Sequence, residues 1–133
     1  MRHVILASHH RFADGLKDTL EFIGGVENVT AVSAYVDDTP LEETVSKIFA
    51  EIPPEDEVLV LTDIMQGSVN QAFAPYISDH VFLVAGVNVA CCLELTLETG
   101  PLSPEVIRET IAQASQQMVF MNECQVEDCE DDE

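Results

Sequence analysis

Two histidines, an aspartate and a serine stand where this chain can do chemistry. Ala7-Ser8-His9-His10 follows the apolar run Val4-Ile5-Leu6 and precedes a helical pattern that begins near Phe12. Asp63 follows a second apolar run at 58–61, and Gly67-Ser68 opens the next helical pattern. A neutral imidazole can serve as base, metal ligand or covalent nucleophile. A carboxylate beside it fixes the tautomer, leaves the other ring nitrogen free and stabilises imidazolium character as it develops. A helix start offers unpaired backbone N–H groups and a partial positive charge to a phosphoryl oxygen, and Ser68 adds a hydroxyl donor. Taken singly, each residue also has a plain role: solvated turn histidines, an Asx turn at Asp63, an N-cap at Ser68.

The elements that must position these residues alternate strand and helix. Residues 3–7 read as a strand and 12–23 as a helix with Leu16, Leu20 and Ile23 on its apolar side, stopped by Gly24-Gly25. Residues 29–35 form a β-branched second strand. A helix over 41–50 follows, with Thr39 as cap and Pro40 at its first position, ended by Pro53-Pro54. The run 58–61 suits a central parallel strand covered on both faces. After the turn at 63–68 come a helix to about 76, a buried strand at 81–84, a helix at about 90–97, and a helix from Pro104 to about 117. Residues 118–124 are expected as a short antiparallel edge strand, and 125–133 as a disordered acidic tail beyond a domain at 1–124.

This pattern predicts an α/β fold, doubly wound on a mainly parallel sheet of order 2-1-3-4. In that order strands one and three are neighbours, and the connections leave them in opposite directions. The resulting crevice at their carboxyl ends would bring His9 and Asp63 face to face.

Composition narrows the function. The 133 residues are 47% hydrophobic and 6% aromatic, which suits one domain with an aliphatic core. Twenty-five acidic residues against five basic ones give a formal charge of −20; setting aside the seven acids from Glu123 onward still leaves eighteen against five. Such a surface repels phosphate backbones, which argues against nucleic acid, and favours encounter with a basic partner. No apolar run is long enough to span a membrane, and the N-terminus lacks the features of a signal peptide, so a cytoplasmic protein is expected. The four cysteines fit that compartment as free thiols, and their spacing gives no metal site; no cofactor is expected.

Ile5-Leu6-Ala7-Ser8-His9 resembles the first strand and active-site turn of the mannose-type enzyme IIA of the phosphoenolpyruvate-dependent sugar phosphotransferase system. Asp63 with Gly67-Ser68 is similar to that family's second motif, an Asp followed by a Gly-Gly-Ser-Pro-like turn. Ala85-Gly86-Val87-Asn88 resembles its third. The likeness runs from residue 1 to about 124 and keeps the order of the motifs. It implies a phosphocarrier: His9 accepts a phosphoryl group from the carrier HPr and passes it to an enzyme IIB domain serving a membrane sugar permease. Asp63 then orients the ring and Ser68, beside Gly67, contacts the phosphoryl group. His10, a second imidazole at the turn, is a further phosphate-binding candidate that could instead compete for the phosphoryl group, contact a partner or do nothing. It further implies a homodimer that exchanges its last strand. Three departures stand out: His10-Arg11 where a small residue usually follows the histidine, a 64–69 turn without the first glycine and the proline, and Val89-Ala90 where proline is common. Alternatives are a phosphocarrier for a dihydroxyacetone kinase system, and a regulatory or binding module of the same fold without transfer activity. A hydrolase is disfavoured, since no serine or cysteine nucleophile joins His9 and Asp63.

Overall fold

Alternating side chains along the strands build two apolar faces, and the computed structural model, which describes residues 1–124, shows helices on both. Strands β1 (Arg2–His9), β2 (Val29–Ala34), β3 (Glu57–Thr62) and β4 (Val81–Ala85) form one parallel sheet in the order β2-β1-β3-β4. Between and after them lie helices α1 (Phe12–Gly24), α2 (Leu41–Ala50), α3 (Ser68–Phe73), α4 (Val89–Leu97) and α5 (Pro104–Ala114). On one face Val4, Leu6, Leu59 and Leu61 meet Leu16 and Leu20 of α1, Cys92 and Leu95 of α4, and Ile107 of α5. On the other, Ile5, Ala7, Val58 and Val60 meet Leu41 and Val45 of α2 and Val69 and Phe73 of α3. Each of the buried Val, Leu, Ile and Phe side chains among them contributes about 1.5–3 kcal/mol by leaving water. Because β1 and β3 are buried on both faces, their runs are continuously apolar, as central parallel strands require.

The helix ends follow from local chemistry. Gly25 closes α1 in the left-handed region at φ 61°, donating its N–H to Glu21 O. Asn88 caps α4 by accepting from Cys91 N–H at 2.8 Å, and Ser103 caps α5 through Val106 N–H. Thr39 does not cap α2. Pro40 takes the N-cap position, and the Thr39 N–H turns instead to Asp37 Oδ1 at 2.9 Å. The helix expected to run to about 76 is α3 plus a 3-10 turn, Ala74–Tyr76, because Pro75 cannot continue an α-helical ladder.

The antiparallel edge strand expected at 118–124 is absent. Met118 and Phe120 have extended torsions, but a strand exists only with a ladder partner, and Met121–Glu123 folds as a 3-10 turn. Asn88 Nδ2 holds the Ala114 carbonyl at 2.8 Å, so the chain leaves α5 beside the start of α4, where Met118 borders Val89, Ala90 and Leu93 rather than running along β4. Cys91 and Cys92 are free and buried as expected, whereas Cys124 is disulfide-bonded, contrary to four free thiols. The expected acidic tail, 125–133, lies outside the described residues.

Candidate functional site

The four-strand order places the exits of β1, β2 and β3 side by side at the carboxyl edge. His9 is the last residue of β1, paired with Ala34 at the end of β2. Asp63 directly follows β3, whose Thr62 pairs with Ala7. One oxygen of that carboxylate, Oδ2, accepts both the His9 backbone N–H at 2.9 Å and its ring Nδ1–H at 3.1 Å. The other, Oδ1, accepts the Ile64 N–H at 3.0 Å. With Nδ1 so occupied, Nε2 is the nitrogen left for chemistry. Burial alone would raise the Asp63 carboxyl, but the hydrogen bonds from His9, with attraction to its ring when charged, outweigh it and hold the group below its ordinary value. Asp63 is therefore ionised at neutral pH and available to stabilise positive charge on His9.

Gly67 closes the crevice over the ring. A methyl group at its Cα would lie 3.0 Å from His9 Cε1 and 3.1 Å from Nε2, so only glycine lets the backbone approach this closely. Its φ of 132° asks for glycine independently. Ser68, next in sequence, opens α3 and bonds through Oγ to the Tyr35 hydroxyl. Since α3 has only six residues, its dipole is small, and hydroxyl and close backbone approach matter more here than a helix field. His9, Asp63, Gly67 and Ser68 are thus brought together around one crevice. His10 differs: it is exposed and in the left-handed region at φ 57°, held by its backbone N–H to Ala34 O at 2.7 Å.

Several residues that the motifs left without a role of their own frame the site. Ser8, fully buried, donates to the His10 carbonyl at 3.0 Å and accepts the Ala13 N–H at 2.7 Å, so it shapes the turn and caps α1 at once. Thr62, also fully buried, donates to Asn70 Oδ1 at 2.6 Å, and Asn70 Nδ2 ties the Met65 carbonyl at 2.7 Å, closing the 63–68 loop. Tyr35 stands after β2 with its ring centroid 5.9 Å from that of His9. The third motif touches none of the reacting groups. Val87 N–H donates to Thr62 O at 3.1 Å, and Asn88 joins α4 to α5, so this motif fixes the end of β3 from behind. Among the described residues no group of three or more His, Cys, Asp or Glu is arranged to hold a metal ion.

The family model described as the PTS system fructose IIA component matches residues 3–112. The fructose-specific EIIA component of the phosphotransferase system of Bacillus subtilis (strain 168) is 34% identical over 100 residues, covering 71% of this chain and 68% of its own. A Klebsiella pneumoniae crystal structure, described in terms of the phosphoenolpyruvate-dependent sugar phosphotransferase system, superposes with a TM-score of 0.86 at 32% identity, covering 92% of each chain. The mannose/sorbose-specific IIA subunit of Enterococcus faecalis shares the fold, with a TM-score of 0.72 at 23% identity over 89% of this chain and 92% of that one. The chain belongs to the IIA component family of the sugar phosphotransferase system, in its mannose–fructose branch. No helix among the described residues is long and apolar enough to cross a membrane.

Proposed function

We propose that the chain carries a phosphoryl group on His9 Nε2, accepts it from phospho-HPr and passes it to an enzyme IIB domain during sugar uptake. The observation that carries this reading is the double use of Asp63 Oδ2, which fixes both the backbone and Nδ1 of His9 and leaves Nε2 beside Gly67. In transfer, the Nε2 lone pair forms the new N–P bond as the donor's N–P bond breaks and its electron pair returns to the donor nitrogen. The Nδ1 proton stays toward Asp63, whose charge offsets that of the phosphorylated ring. Gly67 beside Nε2, with the Ser68 hydroxyl next to it in sequence, supports a role for both in contacting the phosphoryl oxygens.

Partner docking has support around the crevice. Phe12, Tyr35, Val36, Ile64 and Met65 are exposed apolar residues on the exits of three adjacent strands. The chain's strongly acidic net charge suits a partner with positive charge. Homodimer formation is part of the same reading, supported by the exposed run Met118-Val119-Phe120-Met121, and sedimentation of the purified chain tests it.

Incubation with phosphoenolpyruvate, enzyme I and HPr, followed by intact mass, tests the carrier assignment. One acid-labile phosphoryl group is expected on wild type and His10→Ala, and none on His9→Ala. Loss only in His10→Ala would move the chemistry one residue. An unlabelled wild type beside a labelled family member would favour the binding module.

A further inference from the structure

Tyr35 is the least comfortable residue near the crevice. It adopts φ 69°, a region that bulky side chains rarely occupy, and strain of this kind clusters at functional sites. Burial does not account for its placement, since half of its surface is exposed. What this backbone conformation achieves is reach. The side chain leaves the end of β2, its hydroxyl meets Ser68 Oγ across 33 positions of sequence, and its ring lies tilted by 36° against that of His9.

We propose that Tyr35 is a positioning residue for phosphoryl transfer, its hydroxyl orienting the Ser68 hydroxyl and its ring walling His9. The proposal rests on the phosphocarrier reading above. A phosphoryl group offers only acceptors, so a hydroxyl serves it only by donating. Ser68 has one proton to give. When Tyr35 O–H donates to Ser68 Oγ, that proton is released toward the crevice, and the chain of donors ends on the incoming phosphoryl oxygen. The protons of Tyr35 and Ser68 remain on their own oxygens throughout, and the only bonds exchanged are the two N–P bonds. A ring beside the imidazole also limits its rotation about the Asp63 contact. Phenylalanine would supply that wall without the hydroxyl, which separates the two contributions.

The test is single-turnover phosphorylation by excess phospho-HPr, comparing wild type, Tyr35→Phe, Ser68→Ala and the double variant. Tyr35→Phe retains the ring and the backbone strain, so its melting temperature should match wild type. The saturating rate is expected to fall by up to about tenfold in Tyr35→Phe, the upper end for a lost hydrogen bond between neutral groups, with the half-saturating phospho-HPr concentration unchanged. The double variant should be no slower than Ser68→Ala alone, because both changes break one chain of donors. A wild-type rate in Tyr35→Phe, or effects that multiply in the double variant, would overturn the proposal while leaving the carrier intact. So would a raised half-saturating concentration with an unchanged saturating rate, which would make Tyr35 a docking residue. Absence of label on wild-type His9 would bring down the carrier reading itself, and this proposal with it.

Discussion

Asp63 serves two donors of His9 with a single oxygen, so backbone position and ring tautomer are set together. Asparagine at 63 keeps the size but removes the charge. Losing a charge-assisted hydrogen bond of roughly 1.5–3 kcal/mol should slow phosphorylation by about 10- to 100-fold, measured by the same single-turnover assay. Because the Asp63 carboxyl is held below its ordinary value, its contribution to stability is complete at neutral pH. It is lost as pH falls below the ordinary carboxylate range through the folded-state value. Urea unfolding across that range should therefore show a steeper acid decline for wild type than for Asp63→Asn. Gly67→Ala places a methyl group against Cε1 and Nε2 and forces the ring aside. The contacts ask the ring to shift by only a few tenths of an ångström, so the rate should fall by less than the roughly hundredfold that a 1 Å misplacement costs, and the His9 ring resonances in NMR should move with it. His9, Asp63, Gly67 and Ser68 were legible because each follows a strand or opens a helix at one sheet edge. Tyr35 and Asn70 were not. Tyrosine's preference for strands hides a left-handed turn residue at the end of β2, and Asn70 reads as one polar position on a short helix.

Elements were legible where local chemistry and packing agree. The helix over 41–50 has the same ends in sequence and structure, since Pro40 and the apolar stripe Leu41 and Val45 point the same way. The run 118–124 misled because β propensity describes a pleated, half-covered surface, and the described chain provides none there. Its exposed methionines and phenylalanine give the pattern of a strand without the ladder. Asn88 is the joint between α4 and α5, and its alanine variant removes a helix cap and leaves the Ala114 carbonyl without its donor. A loss of about 1–3 kcal/mol is expected in urea unfolding, and phosphorylation should still stop at His9. That separation of stability from chemistry would mark the third motif as a support for the sheet edge rather than a contact to the phosphoryl group.

Charge acts over the entire surface. With a formal charge of −20, and eighteen acids against five bases even before Glu123, attraction of a basic donor is long-ranged and screened by salt. The second-order rate of phosphorylation should fall steeply as ionic strength rises from 0.01 to about 0.15 M, while the saturating rate changes little, since screening acts on encounter. The end of the sheet opposite the crevice is organised differently. Arg2 Nε meets Glu57 Oε1 at 2.9 Å, its two terminal nitrogens hold the Glu98 and Gly100 carbonyls at 2.6 and 2.5 Å, and Glu57 Oε2 accepts the Leu102 N–H at 2.8 Å. This buckle fastens the α4–α5 connection to the amino ends of β1 and β3. Arg2 and His9 are the two ends of the eight-residue β1, a span of about 23 Å along one strand. A molecule anchored to a sensor surface or a bead through Met1 would thus stand with its crevice turned outward, beyond the reach of the support, and present His9 to passing proteins as an unobstructed target.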